Sequence, residues 1–190
     1  MNDKILIIDN YDSFTFNLRQ IVEELKHDYS IIKNDKVTIE SVAQHSKILI
    51  SPGAGTPSCA GSVKEIVRRF ASSRSILGIC LGHQAIAEVF GGTLHNLKNV
   101  RHGITTIVNI VQPVDYLFKN IPTQFEAGLY HSWAVSNKNF PGCLRVTSVS
   151  SDNVIMSLAH EEYDVKGVQF HPESIMTKFG KQLIQNWLKH

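Results

Sequence analysis

Short apolar runs alternate with helix-like spacings through the first half of the chain. Four runs rich in Ile, Leu and Val predict buried strands, at residues 4–9, 30–34, 47–51 and 75–79. Between these runs, apolar residues recur at helical spacing, which predicts helices within residues 14–25, 63–70 and 81–89. This alternation indicates an α/β fold whose parallel strands are covered on both faces.

The second half of the chain has a different pattern. Residues 105–111, 124–130, 145–150 and 154–160 are predicted to be strands joined by turns, with hairpins among them. We expect these strands to form an antiparallel edge or a small subsidiary antiparallel sheet. A further core strand is predicted at residues 167–170 and a closing helix at residues 179–188. Neither repeats nor a linker divide residues 1–190, so a single domain is expected.

The composition narrows the class of protein. With 43% hydrophobic residues in a length of 190, the chain can build one sizeable core. The net charge is +2 and the basic residues are scattered, so neither nucleic acid nor a membrane is expected as the main partner. Three cysteines without CxxC spacing favour a reducing compartment over a disulfide framework. Neither a signal-peptide core nor an apolar run near the ~18 residues of a membrane span is found, so a cytoplasmic location is expected.

Residues 78–82 read Gly-Ile-Cys-Leu-Gly and stand between a predicted strand and a predicted helix. This pattern is typical of a nucleophile elbow, a sharp strand-to-helix turn at which flanking glycines let the backbone pass closely. The turn would place Cys80 at a helix N-terminus, where N–H groups and the helix dipole favour a thiolate. Cys80 is therefore a candidate nucleophile, although a small buried core residue is an equally good interpretation of these five residues alone.

His171 and Glu173 directly follow the predicted strand 167–170. A cysteine nucleophile needs a base, and the base needs an acceptor on its other ring nitrogen, so this pair supplies both. A single histidine among nine is more often structural. No HxxxH, HExxH or CxxC spacing is present, which argues against a metal site. A cysteine turn and a His-x-Glu segment that both follow core strands together favour a triad of Cys80, His171 and Glu173.

Residues 51–57 (SPGAGTP) begin where the predicted strand 47–51 ends. Two glycines and two prolines make a rigid turn whose backbone N–H groups are free to point at a ligand. Because no Gly-Lys-Ser/Thr follows, the turn suits an oxyanion hole better than a phosphate-binding loop. An ordinary connection between a strand and a helix remains open as an alternative.

Five segments together resemble one known family. Residues 9–15 (DNYDSFT), 51–53 (SPG), 78–84 (GICLGHQ), 130–132 (YHS) and 167–174 (GVQFHPES) resemble the class I, or triad-type, glutamine amidotransferases. More narrowly, DNYDSFT is similar to the small subunits of anthranilate synthase and aminodeoxychorismate synthase. The resemblance covers residues 4–188. It implies an open, mostly parallel sheet with a flavodoxin-like core and helices on both faces.

The resemblance also implies a role for each matching position. Cys80 would attack the amide of L-glutamine and form a glutamyl thioester, with His171 as base and then acid and Glu173 orienting the ring. The backbone N–H groups of Gly53 and Leu81 would form the oxyanion hole. The residues implied to bind the glutamine substrate are Gly53, Ala54, Gly55, Gln84, Ser132 and Trp133. Neither a metal ligand nor a cofactor is implied in this chain.

A partner is implied as well. The resemblance to these small subunits implies that ammonia passes by a protected route to a larger synthase subunit, which adds it to chorismate and itself needs Mg²⁺. The sequence leaves open whether the product is anthranilate or aminodeoxychorismate.

Two departures from the family pattern accompany the match. Ala54 occupies a position between glycines that is usually proline, and Ile104 follows His102-Gly103 where lysine is usual. Two other functions also fit part of the sequence: a stand-alone cysteine hydrolase of γ-glutamyl substrates, and a catalytically silent regulatory subunit. The intact Cys–His–Glu set argues against a silent subunit, and DNYDSFT argues against a stand-alone hydrolase.

Overall fold

The computed structural model describes residues 4–190, so residues 1–3 of the predicted single domain lie outside the described residues. The strands are β1 (Ile5–Asn10), β2 (Tyr29–Lys33), β3 (Lys47–Gly53), β4 (Ser75–Ile79), β5 (Leu94–Ile110), β6 (Gln124–Val135), β7 (Leu144–Ser150), β8 (Ile155–His160) and β9 (Val165–Val168). The helices are α1 (Thr15–Glu24), α2 (Ile39–Ala43), α3 (Val63–Phe70), α4 (Leu81–Val89) and α5 (Gly180–Lys189). The strands form one sheet in the order β2-β1-β3-β4-β9-β8-β7-β5-β6.

The first part of the sheet is parallel and covered on both faces. β2, β1, β3, β4 and β9 run parallel to one another. Ile5 and Ile7 of β1 pack in one core with residues of α1 and α5, whereas Leu6 and Ile8 pack in a second core with residues of α2, α3 and α4. Because successive side chains of a strand point to opposite faces, two helical layers bury every residue of such a run. The predicted α/β fold is confirmed.

The antiparallel strands continue this sheet and do not form a separate subsidiary one. β8 pairs antiparallel with β9, and β7, β5 and β6 follow in antiparallel succession. Every residue of β8 is buried, so β8 is covered on both faces and serves as a core strand beside β9. β8 therefore extends the covered, parallel part of the sheet by one antiparallel strand.

The bounds of several elements differ from the sequence prediction: β6 runs on to Val135, past the predicted residue 130, and β9 lies at Val165–Val168, where residues 167–170 were predicted. Two further differences are larger. β5 begins at Leu94, well before the predicted residue 105, because its first half pairs with β6 as far as Val135 through two register shifts. The short helix α2 was not predicted, and it begins with a capping box in which Thr38 and Ser41 exchange hydrogen bonds between side chain and backbone. None of the helices within residues 4–190 is long and apolar enough to cross a membrane.

Candidate active site

Two neighbouring strands deliver the candidate nucleophile and its base to the same edge of the sheet. Ile79, the last residue of β4, pairs with Val168, the last residue of β9. The backbone N–H of Cys80 donates to the Val168 carbonyl at 2.8 Å. His171 follows three residues later, so Cys80 and His171 emerge side by side at the carboxyl ends of parallel strands, where α/β sheets commonly hold their sites.

Cys80 lies in a sharp, strained turn between β4 and α4. Its backbone has φ +50° and ψ −99°, a left-handed conformation that a side chain makes costly. A Cβ on Gly78 would lie 2.4 Å from the carbonyl carbon of Gly82, and a Cβ on Gly82 would lie 2.9 Å from the Ile50 carbonyl oxygen. Only glycines fit on either side of the cysteine. The turn therefore has the geometry of a nucleophile elbow, with Cys80 as the N-terminal cap residue of α4.

His171 and Glu173 form a buried pair. The Glu173 Oε1 carboxylate oxygen accepts a hydrogen bond from His171 Nδ1 at 2.6 Å. Burial lowers the pKa of His171, but the interactions of the ring with the Cys80 sulfur and the Glu173 carboxylate outweigh burial and raise that pKa to about 10. The second ring nitrogen, Nε2, makes no hydrogen bond of full geometry within residues 4–190. Catalytic contacts are often this loose before substrate binds. The arrangement favours a protonated imidazole beside the Cys80 sulfur.

Aromatic side chains surround the imidazole ring of His171. The ring centroids of Tyr130 and Phe14 lie 4.8 Å and 5.5 Å from that of His171, both in edge-to-face orientations. Phe14 belongs to the DNYDSFT segment, and Tyr130 belongs to β6. The ring is therefore fixed by packing as well as by Glu173, and it is shielded from bulk water.

The predicted substrate residues all line one cavity that also contains Cys80. Its volume is about 100 Å³. The lining residues are Gly53, Ala54, Gly55, Cys80, Gln84, Tyr130, His131, Ser132 and Trp133. Tyr130 and His131 were not among the predicted substrate residues, although they belong to the YHS segment. Leu81 lies just outside the cavity lining, at the first position of α4, where a backbone N–H has no partner within the helix.

The turn at Gly53 rests on Asn10, the last residue of β1. The Asn10 side-chain amide donates to the Ser51 carbonyl at 2.7 Å, and the Asn10 backbone N–H donates to Ser51 Oγ at 2.9 Å. Asn34 Nδ2 donates to Asn10 Oδ1 at 2.9 Å. A Cβ on Gly53 would lie only 2.6 Å from Asn10 Cβ, so the two backbones are in close contact. DNYDSFT thus supports the predicted oxyanion turn directly.

A hydrogen-bonded chain of two glutamines reaches the sulfur. Gln84 Nε2 donates to the Trp133 carbonyl at 2.9 Å and to Gln169 Oε1 at 3.1 Å. Gln169 Nε2 in turn lies 3.5 Å from Cys80 Sγ. Gln169 was not among the predicted site residues, although its position between a core strand and His171 indicates that it is buried near the site.

Two further buried histidines lie near the site and are held neutral. Burial lowers the pKa of His83 to about 3 and the pKa of His131 to about 4. His131 Nδ1 donates to the Trp133 carbonyl at 2.8 Å, which fixes its tautomer. His83 lies in α4 against the backbone of Gly167, and neither of its ring nitrogens makes a hydrogen bond of full geometry within the described chain.

A strained cysteine lies at a strand-to-helix turn beside a buried His–Glu pair, and a glycine turn lines the same cavity as the cysteine. This arrangement suits a cysteine hydrolase built on an α/β sheet. The chain belongs to the class-I glutamine amidotransferase family, which it matches over residues 6–190.

Relatives and a solved structure agree with this assignment. Anthranilate synthase component 2 of Pyropia yezoensis is 43% identical over 189 residues, covering 98% of this chain and 99% of the relative. Aminodeoxychorismate/anthranilate synthase component 2 of Bacillus subtilis is 40% identical over 187 residues, covering 97% and 95%. The crystal structure of a glutamine amidotransferase from Thermotoga maritima superposes with a TM-score of 0.78 at 16% identity, covering 100% of this chain and 82% of that one. At that identity, the structural match supports the fold alone.

Proposed function

We propose that this chain is the glutaminase subunit of a chorismate-using synthase, where it releases ammonia from L-glutamine. The observation that carries the proposal is the Cys80 sulfur in the wall of a cavity lined by every predicted substrate residue, beside a histidine paired with Glu173 at 2.6 Å. A silent regulatory subunit would have no use for this arrangement.

In the proposed reaction, the Cys80 thiolate attacks the amide carbon of glutamine. The carbonyl oxygen becomes negatively charged and is stabilised by the backbone N–H groups of Gly53 and Leu81. The protonated His171 gives its proton to the leaving nitrogen as the C–N bond breaks, so ammonia departs and a glutamyl thioester remains.

Hydrolysis of the thioester reverses the proton movement. The neutral His171 ring takes a proton from a water molecule that attacks the thioester carbon. When the C–S bond breaks, glutamate leaves and the thiolate–imidazolium pair is restored. Glu173 keeps the ring orientation and tautomer through both steps, because its carboxylate holds Nδ1.

The ammonia is proposed to pass to a larger synthase subunit that binds chorismate with Mg²⁺. The relatives named above are component 2 subunits, which by their names work beside another component. Exposed apolar side chains on the segments that bear the site also favour a partner: Phe16 is 68% exposed and Ile175 is 100% exposed. Because the names of relatives include both synthases, the product is either anthranilate or aminodeoxychorismate.

The test is synthesis by the reconstituted complex with each candidate large subunit, with either glutamine or an ammonium salt as nitrogen source. Cys80→Ala should abolish glutamine-dependent synthesis and leave ammonia-dependent synthesis intact, because the thiolate is needed only to cut the amide. Cys143→Ala, at an exposed cysteine, serves as the matched control and should behave as wild type. Glutamine-dependent synthesis that survives in Cys80→Ala would refute the assignment. The aromatic product identifies the branch.

A further inference from the structure

We infer that Gln169 is a positioning residue of the glutaminase site: its side-chain amide donates a hydrogen bond to the Cys80 thiolate and links the nucleophile to the substrate-binding wall at Gln84 and Trp133. The inference rests on the proposed function. It assigns a role to a residue that the triad mechanism does not use.

The hydrogen-bond partners fix which way the Gln169 amide points. The Trp133 carbonyl can only accept, so the Gln84 atom at 2.9 Å from it must be the NH₂ group. That same nitrogen lies 3.1 Å from the Gln169 side chain, so the facing atom must be the Gln169 oxygen. The Gln169 nitrogen is thereby turned toward Cys80 Sγ, at 3.5 Å. Rotating either amide would set two donors or two acceptors against each other.

Burial makes this contact consequential. Gln169 is 0% exposed, so its amide cannot use bulk water as an alternative acceptor. A buried donor without a partner is costly, and an ionised acceptor gives the strongest hydrogen bond available to it. The amide is uncharged and does not compete for the proton that His171 must carry. Gln169 therefore stabilises the thiolate and leaves unchanged the number of protons that Cys80, His171 and Glu173 hold.

The titratable groups around Cys80 come from three elements. His171 and Glu173 follow β9, His131 lies on β6, and His83 lies in α4. His131 and His83 have lowered pKa values and stay neutral near pH 7, so they leave the His171–Glu173 pair as the charged neighbour of the sulfur. A change at Gln169 should therefore appear in the pH profile of the thiolate, which a purely structural residue would not move.

The series of hydrogen bonds from Trp133 through Gln84 and Gln169 to the sulfur also predicts separate effects on kcat and KM. Gln84 and Trp133 line the cavity, whereas Gln169 does not. Loss of the Gln169 donor should therefore lower kcat about tenfold and change KM little, since the substrate wall itself is left in place.

The experiment measures alkylation of Cys80 by iodoacetamide as a function of pH, in the full chain carrying Cys59→Ser and Cys143→Ser so that only one thiol reacts. Gln169→Glu replaces the donor with an acceptor of the same shape. Gln169→Met removes the donor without adding charge and gives the same readout should the glutamate variant fail to fold. Gln44→Glu, at an exposed site on the opposite edge of the sheet, is the matched control.

Both Gln169 variants should move the alkylation midpoint to higher pH, by about one unit for Gln169→Glu, with Gln44→Glu unchanged. Midpoints equal to wild type in both variants would overturn the inference. Glutamine hydrolysis by the wild-type complex is measured in parallel. Its absence would refute the proposed function and leave the alkylation result standing, so the two failures are distinguishable.

Discussion

His83 illustrates how a single buried residue ties stability to pH. Its lowered pKa means that the folded protein keeps the ring neutral below the usual histidine value, while the unfolded chain takes up a proton there. The unfolded state then binds more protons, so folded stability falls as pH drops from about 6.5 toward about 3. His131 acts in the same direction, with a folded-state pKa of about 4.

We therefore predict that His83→Leu makes the protein less sensitive to acid. At pH 5.5, holding His83 neutral costs roughly 1 kcal/mol relative to the unfolded chain, and leucine removes that cost. Urea unfolding at pH 7.5 and at pH 5.5 gives the free energy of unfolding at each pH. The decrease in this free energy from pH 7.5 to pH 5.5 should be smaller in His83→Leu than in wild type, by roughly 1 kcal/mol. His95→Leu, at an exposed histidine of β5, should keep the wild-type dependence. Parallel pH curves for His83→Leu and wild type would contradict the assignment.

At the scale of elements, Asn10 at the end of β1 supports the proposed oxyanion turn at the end of β3. Asn10→Asp keeps the shape of the side chain but sets a carboxylate oxygen against the Ser51 carbonyl, where the amide now donates at 2.7 Å. The two acceptors repel, and the Gly53 backbone packed on Asn10 should move. We expect glutamine hydrolysis to fall by up to about 10²–10³, the usual cost of losing one oxyanion donor.

Two comparisons make the Asn10 prediction specific. The rate of Cys80 alkylation should stay near wild type in Asn10→Asp, because alkylation forms no oxyanion. Asn137→Asp is the matched control, since Asn137 makes a similar bond to the Asn153 carbonyl at 2.9 Å in an exposed place. Equal losses of hydrolysis and alkylation would show that Asn10 acts on the nucleophile and not on the turn.

The hydrophobic pattern within a segment predicts an element when the residues of that segment are themselves buried in the core. Ile5 to Ile8 are fully buried because helices cover both faces of β1, so the run is visible in the sequence. The first half of β5 is mostly exposed and depends on pairing with β6, such as His95 with Ala134, so no local signal marks it. The short α2 has a single buried residue, Val42, too few for a helical pattern.

The candidate site likewise has some parts that the sequence predicts and others that it does not. The Cys80 turn and the His171–Glu173 pair are short segments with recognisable chemistry, and the structure brings them together. The contacts of Gln169 with Cys80 and of Asn10 with Ser51 join residues 89 and 41 positions apart. Such contacts follow from strand order, which residue types alone do not specify.

At the scale of the whole molecule, we predict that the free chain is a poor glutaminase and that the partner activates it. Uncoupled hydrolysis would waste glutamine, and an exposed residue adjoins the contact between Asn10 and the Gly53 turn. Tyr11 is 59% exposed, adopts a left-handed conformation with φ +60°, and follows Asn10 directly. A partner that contacts Tyr11 could reset the Gly53 turn through Asn10, provided that it binds one arrangement better than the other.

This coupling is tested by measuring steady-state glutamate release in three mixtures: the chain alone, the chain with the large subunit, and the chain with the large subunit plus chorismate. The rate should rise on adding the partner and rise again with chorismate. Equal rates in all three mixtures would exclude coupling and favour a stand-alone hydrolase. The double variant Tyr11→Ala, Phe16→Ala should retain the basal rate of the free chain and lose most of the activation.

The central position of β9 in the sheet determines when the site can form during synthesis of the protein, because β9 is the last strand to be made. β4, which precedes Cys80, pairs on one side with β3 and on the other with β9, where Ile76 meets Val165, 89 positions later in the chain. A nascent polypeptide on the ribosome therefore presents Cys80, the proposed nucleophile, long before it has His171, the proposed base. It also lacks a second neighbour for β4 and the Gln169 amide at that stage. Under the proposed mechanism, unfinished copies should not hydrolyse glutamine. A message truncated after β8 should yield a chain that carries Cys80 but has no glutaminase activity.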